Sequence, residues 1–264
     1  MRNPWVAYCG REQLFDVRHC PMEASDHQLR RPMSSVLLLA GIVVHLAAPP
    51  GIAVRDVAIS SFDGARLAAT YYDPGEPGPA VVLFRNCDQT RAGMDGFARK
   101  LAGRGAHVVV YDYRGGAAPG RSWRDTRSGD ADRVESWLSS QPRVDRTRLA
   151  AVGGSCGVML ALDFAAAHAQ HVRGIVILSG PSDSTQHAFI ARTPGIAVLG
   201  AASVEEGAAV GYIEPVVKAS TNPTSRMVVL RGAGHGTDIF KGSAPFETTA
   251  LDWLGSQLAL GRRP

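Results

Sequence analysis

The stretch Leu149-Ala-Ala-Val-Gly-Gly-Ser155-Cys-Gly-Val-Met-Leu-Ala-Leu162 decides how this chain folds. A short apolar run of strand length stops at a turn of small residues, and apolar residues with helical spacing resume after it. The turn has the pattern Gly153-x-Ser155-x-Gly157, which is typical of a strand, a sharp turn and a helix that hold a serine at the tip. Ser155 is therefore the candidate nucleophile.

The residue types in this turn have a physical explanation. A serine at its tip is held in a strained backbone conformation, in which side chains two residues before and after it would collide. Glycine at both positions removes the collision. The helix that follows directs its first N–H groups toward the oxygen beside Ser155, where negative charge develops during acyl transfer. The Cys156 N–H is therefore the first candidate oxyanion donor.

Length and composition fit one α/β domain and a tail. The chain has 264 residues, 45% of them hydrophobic, which is enough to bury a large core. The net charge of +4 is mild and the arginines are scattered, which argues against nucleic-acid binding. The sequence has no metal-ligand spacing, phosphate loop or dinucleotide fingerprint, so we expect no metal and no cofactor.

Residues 1–53 are predicted to form an N-terminal tail, and residues 54–264 the domain. Two arginines precede a short apolar run, residues 36–48, and two prolines close it. Such a run is short for a membrane span but typical of the hydrophobic region of a signal peptide. The pattern favours a secreted or periplasmic protein. A cytoplasmic protein with a buried N-terminal element and a protein anchored by a retained segment stay as alternatives.

The domain alternates predicted strands and helices. Alternating apolar residues on both sides of an Asp-Gly pair predict a β-hairpin over residues 54–72. Continuous apolar runs at 79–84 and 106–111 predict strands covered on both faces, with a helix over 95–104 between them. This alternation favours an α/β fold with a mostly parallel central sheet, right-handed crossovers and helices on both faces.

Two later segments bear on access to the candidate nucleophile. A loop rich in Gly, Pro and Arg is expected over 112–127, followed by a helix over 130–140 that Ser128 or Gly129 caps. Only the segment 184–194 separates two predicted core strands further along the chain. That segment has no space for a large lid, so we expect an open site.

His235 is the candidate general base. It is the one histidine among eight that lies in a Gly-flanked loop directly after a predicted core strand. The acid that would orient its imidazole stays open among Glu206, Glu205 and Asp183. All three follow predicted strands that lie between Ser155 and His235 in the chain.

With this order of serine, acid and histidine, the chain resembles the α/β-hydrolase fold family over about residues 54–260. The dienelactone-hydrolase-like branch, which has a small lid, looks closest. The enzymes that give this branch its name carry cysteine at the tip of the turn, where this chain has Ser155. The resemblance implies hydrolysis of a carboxylic ester through an acyl-enzyme, with Glu206 at the position that best matches the family's acid.

The loop after the predicted strand 79–84 departs from the family pattern. Family members usually have His-Gly there, followed by the residue whose N–H completes the oxyanion hole. Here Arg85-Asn86 takes those places and Cys87 the donor position. Arg85 is interpreted either as a surface charge or as a site that attracts a substrate carboxylate. Cys87 and Cys156 should lie close together, and we favour two small buried thiols over a disulfide.

The expected partner is a small-molecule ester. We expect no nucleic acid, and a membrane only if the N-terminal segment is retained. Two other interpretations stay open: a binding protein of the same fold with weak or no catalysis, and an acyltransferase that uses the same residues. The natural substrate and the oligomeric state are not predicted.

Overall fold

The computed structural model describes residues 51–114 and 123–261 of the chain. All of them belong to one compact unit, Ala48–Pro264. Almost all of the predicted tail, with its signal-like segment 36–48, lies outside the described residues. Among the residues that are described, no helix is both long enough and apolar enough to cross a membrane.

Eight strands form one central sheet, and their bounds are Ala53–Ser60 (β1), Arg66–Asp73 (β2), Gly78–Phe84 (β3), His107–Tyr111 (β4), Val144–Gly154 (β5), Val172–Leu178 (β6), Ala197–Ser203 (β7) and Arg226–Leu230 (β8). Their order in the sheet is β1-β2-β4-β3-β5-β6-β7-β8. β1 and β2 form the predicted antiparallel hairpin, and β2 is also antiparallel to β4. The other pairs are parallel, which confirms the mostly parallel sheet.

The α-helices in the described part of the chain are Asp95–Ala102 (α1), Trp123–Ser139 (α2), Gly157–Ala167 (α3), Ser184–Ala191 (α4), Ala209–Ala219 (α5), Ile239–Gly242 (α6) and Ala244–Leu258 (α7). Successive side chains of a strand point to opposite faces of the sheet. In β3, Val82 packs into a core with α2, α3, α4 and α5, whereas Val81 and Leu83 pack into a second core with α1, α6 and α7. Both faces of the sheet are therefore covered by helices, as predicted.

The helix predicted over 130–140 begins earlier, at Trp123. The prediction of a loop over 112–127 was therefore wrong for its last residues, which belong to α2. Gly129 is not a cap but lies inside the helix, where a Cβ atom would meet the Phe62 ring at 2.5 Å. The absence of a side chain at Gly129 therefore allows α2 to pack closely against the turn between β1 and β2. Buried Asp130 strengthens the same contact, since it accepts hydrogen bonds from Ser61 and from Arg114.

The segment between β6 and β7 holds a single helix of eight residues, α4. Asp183 caps it: its carboxylate accepts from the Gln186 N–H at 2.9 Å, and the Gln186 side chain accepts from the Asp183 N–H at 3.1 Å. This reciprocal pair of bonds satisfies two backbone donors at the start of the helix. The described chain therefore has no large lid between these strands, which agrees with the expected minimal lid.

The turn between β5 and α3 is packed against the loop that follows β3. A Cβ atom on Gly157 would lie 2.4 Å from the Phe84 carbonyl oxygen and 2.8 Å from that of Arg85. These are backbone atoms of a buried strand end, so they cannot move aside cheaply. The absent side chain of Gly157 is what lets the first turn of α3 approach the sheet so closely.

Replacing Gly157 by Ala should therefore destabilise the fold. We expect the free energy of unfolding, measured by urea denaturation, to fall by about 1–3 kcal/mol, because the added methyl group overpacks the turn. Gly96→Ala in α1 is the matched control, since nothing lies within 4 Å of a Cβ atom there. That variant should gain about 0.4–1 kcal/mol from the reduced entropy of its unfolded chain. Equal stabilities of the two variants would contradict this account.

Candidate active site

Ser155 lies at the tip of the turn between β5 and α3. Its φ angle is 54°, in the left-handed region that residues with a side chain seldom adopt. Its N–H donates to the Leu178 carbonyl at 2.9 Å. A Cβ atom on Gly153 would lie 2.2 Å from the Gly157 carbonyl oxygen, so the two glycines face each other across the serine. The strained serine is therefore present as expected, and so is the close approach of its flanking residues that only glycine allows.

His235 lies in the loop after β8 and reaches Ser155 from the other side. Its Nε2 atom is 2.9 Å from the Ser155 Oγ atom. Its flanking residues, Gly234 and Gly236, have φ angles of 85° and 56°, which glycine adopts at little cost. The imidazole is about half exposed, so the hydroxyl and the ring lie at an open surface.

Of the three candidate acids, the structure brings Glu206 to His235. The Glu206 Oε1 atom contacts the His235 Nδ1 atom. The second oxygen, Oε2, accepts from the Ser179 hydroxyl and from the Ser203 N–H. These bonds hold the carboxylate on both sides, so it can orient the ring and stabilise a positive charge on it.

The other two candidates have different partners. Glu205 accepts a hydrogen bond from the Gly232 N–H at 2.9 Å, and this bond lowers the pKa of the Glu205 carboxyl. Asp183 caps α4, as described above. Neighbouring positions in the chain thus have separate roles here: Glu205 holds the end of β8, and Glu206 faces the histidine.

Cys87 and Cys156 are joined by a disulfide, with their Cα atoms 5.8 Å apart. The expectation of two free, buried thiols is therefore wrong, and Cys87 is exposed. The sequence could not decide this point because the two residues are 69 positions apart. They meet because β3 and β5 are parallel neighbours, with Phe84 beside Gly153, so that the loops after both strands leave the same edge.

The backbone N–H groups of the two cysteines are the candidate oxyanion donors. Within residues 51–114 and 123–261, neither the Cys87 nor the Cys156 backbone N–H donates to a protein acceptor.

Arg85 is neither a surface charge nor open to a substrate, so both interpretations of it are wrong. It is 5% exposed, and its Nε atom donates to Asp112 at 3.0 Å. Its guanidinium lies over the Tyr113 ring, and the Tyr113 hydroxyl donates to the Arg85 carbonyl at 2.8 Å. Burial raises the pKa of that hydroxyl. Arg85 therefore anchors the start of the loop after β3.

Asn86 is a site residue whose role the sequence did not reveal. Its Oδ1 atom accepts from the Thr237 N–H at 3.0 Å and from the Thr237 hydroxyl at 3.2 Å, and its Nδ2 atom donates to the His235 carbonyl at 3.4 Å. It thus ties the loop after β3 to the loop that carries His235. The one signal was that Asn86 departs from the family's usual glycine, and that departure did not indicate its partners.

No candidate metal centre accompanies these residues in the part of the chain that the structure describes: no group of three or more His, Cys, Asp or Glu could hold a metal ion.

Comparisons with known proteins agree with this architecture. A family model described as alpha/beta hydrolase fold matches residues 77–199. An uncharacterised protein of Mycobacterium tuberculosis is 37% identical over 114 residues, which cover 42% of this chain and 41% of that protein. The match thus spans less than half the length of this relative.

Among solved structures, a dienelactone hydrolase from Anabaena variabilis is similar with a TM-score of 0.64 and 17% identity, covering 79% of this chain and all of that one. A Pyrococcus furiosus esterase has a TM-score of 0.62 and 15% identity, covering 78% of this chain and 92% of that one. The chain has the α/β-hydrolase fold, as the resemblance implied.

Replacing Asn86 by Ala removes the acceptor of the buried Thr237 N–H. We expect the free energy of unfolding to fall by about 1–3 kcal/mol, as for other buried donors left unpaired. Urea denaturation measures this loss. Gln89→Ala is the matched control: Gln89 bonds to Thr237 and Asp238 in the same network but is half-buried, so water can replace it. Equal losses in the two variants would contradict the role given to Asn86.

Proposed function

We propose that this chain, an α/β-hydrolase by fold, is a serine hydrolase that cleaves carboxylic esters. One observation carries the proposal. The Ser155 Oγ atom lies 2.9 Å from His235 Nε2, while Glu206 contacts the other ring nitrogen. A hydroxyl, an imidazole and a carboxylate in this order form the arrangement that activates serine for attack on a carbonyl carbon.

The first half of the reaction forms an acyl-enzyme. The Ser155 hydroxyl attacks the ester carbon as His235 Nε2 takes its proton, and Glu206 stabilises the imidazolium through Nδ1. The carbonyl oxygen becomes an oxyanion, which the backbone N–H groups of Cys87 and Cys156 bind. The tetrahedral intermediate collapses, and the His235 proton passes to the alcohol that leaves.

Water completes the reaction. His235 takes a proton from a water molecule that attacks the acyl carbon, and Ser155 leaves with that proton when the second tetrahedral intermediate collapses. The carboxylic acid is then released. The half-exposed imidazole and the small α4 segment support water as the acceptor, because neither shields the acyl group from solvent. Hydrolysis is thus favoured over acyl transfer to another alcohol or amine.

The partner we propose is a small or medium carboxylic ester. The solved neighbours named above are described as a dienelactone hydrolase and an esterase, and both descriptions concern acyl compounds. We propose further that the protein works outside the cytoplasm. The disulfide between Cys87 and Cys156 supports this, since such bonds persist in oxidising compartments.

A fluorophosphonate probe tests the nucleophile directly. The probe should label the wild-type protein and leave Ser155→Ala unlabelled, because the activated hydroxyl is the group that attacks phosphorus. The same variant should lose about 10⁴–10⁶-fold in kcat on p-nitrophenyl esters of graded acyl length. Equal labelling of both proteins, or a wild type that hydrolyses none of the esters, would overturn the proposal.

The choice of acid is tested by a pair of neighbouring substitutions. Glu206→Gln keeps the shape of the side chain but removes the charge that stabilises the imidazolium, so kcat should fall by about 10²–10⁴-fold. Glu205→Gln is the control and should stay within a few-fold of wild type, since Glu205 bonds to the Gly232 N–H instead. Steady-state kinetics with one p-nitrophenyl ester gives both values. A larger loss in the Glu205 variant would refute the assignment.

A further inference from the structure

We infer that the disulfide between Cys87 and Cys156 is a positioning element of the site, which holds the two oxyanion-binding amides at a fixed separation. The inference rests on the proposed function, since it concerns the same reaction. Both bonded residues carry a donor N–H, and one of them is adjacent to Ser155. The bond therefore joins the two halves of the oxyanion hole directly to each other.

The position of the Cys156 N–H does not depend on the disulfide. Cys156 lies between the strained Ser155 and the first residue of α3, Gly157, which packs on the carbonyl groups of Phe84 and Arg85. Buried strand and helix backbone thus surround this amide on both sides. Its position is set by the elbow itself.

The half that contains Cys87 is held less firmly. Arg85 and Asn86 are buried and anchored, but the chain emerges at Cys87, and both Cys87 and Asp88 are exposed. The Cys87 carbonyl accepts one long hydrogen bond, from the Arg85 guanidinium at 3.4 Å. The next backbone bond in this loop is also long, from the Gln89 N–H to the Asn86 carbonyl at 3.3 Å. The disulfide connects this exposed point to the rigid elbow, at a Cα separation of 5.8 Å.

This separation matters for the chemistry. A preorganised donor stabilises the oxyanion because it needs no rearrangement when the charge forms, and removing one donor costs about 10²–10³-fold in kcat. A loop that is free to move keeps its N–H but no longer holds it in place. Loss of the cross-link should therefore lower kcat by part of that amount, about 10–100-fold, and leave KM nearly unchanged.

The experiment uses a background variant in which Cys9 and Cys20 are replaced by Ser. The chain has four cysteines, so this variant keeps the Cys87–Cys156 pair alone. Tris(2-carboxyethyl)phosphine then reduces the bond. The phosphine supplies two electrons, and water supplies the two thiol protons and the oxygen of the phosphine oxide. Because Cys87 is exposed, the reagent can reach the bond in the folded protein.

Three readouts separate positioning from simple loss of structure. Reduction should lower kcat on a p-nitrophenyl ester by about 10–100-fold, with KM within about two-fold. It should weaken binding of a trifluoromethyl ketone by the same factor as kcat/KM, since that compound forms a tetrahedral oxyanion on serine. The near-ultraviolet circular dichroism spectrum should stay unchanged, and reoxidation should restore activity.

A second variant provides the control for the reductant. Cys87→Ser with Cys156→Ser, made in the same background, should show the low kcat of the reduced protein and no response to the phosphine. If reduction leaves kcat within two-fold, the inference is overturned. It is also overturned if kcat falls only in proportion to the folded fraction. Failure of the proposed function would give a different result: the oxidised background protein would not react with the fluorophosphonate at all.

Discussion

The rest of the structure depends on the close approach of the first turn of α3 to the ends of β3 and β5. This approach is possible because Gly153 and Gly157 have no side chains, so backbone meets backbone where any Cβ atom would clash. It forces Ser155 into a left-handed conformation that presents its hydroxyl at the carboxyl edge of the sheet. That conformation is unfavourable for serine by itself, and the packing of helices on both faces of the buried sheet stabilises it.

Four loops meet at this edge, and specific bonds fix each one to a neighbour. Asn86 joins the loop after β3 to the histidine loop. The Ser203 hydroxyl donates to the Gly234 carbonyl at 3.1 Å and joins the end of β7 to the histidine loop. The disulfide joins the loop after β3 to the serine turn. A site of this kind is preorganised because its supporting bonds are made before any substrate arrives.

Several expectations from the sequence failed for a common physical reason. Arg85, Asn86 and Cys87 follow one another in a polar loop, and a polar loop is usually interpreted as a solvated surface. Arg85 and Asn86 are buried instead, and the three residues bond to Asp112, Thr237 and Cys156, which lie far from them in the chain. The start of α2 was misplaced for a similar reason, since Gly129 is required by contact with Phe62 and not by the end of a helix.

The sequence by itself determined the order of strands and helices, the serine turn and the histidine loop, because each depends on residues close together in the chain. Apolar runs, glycine spacing and turn residues are local signals, and they predict the α/β fold. Tertiary structure alone decided that Glu206 and not Glu205 faces His235, that the two cysteines bond, and that Asn86 ties two loops together. Those outcomes depend on the parallel pairing of strands that are distant in the chain, which places the ends of those strands side by side.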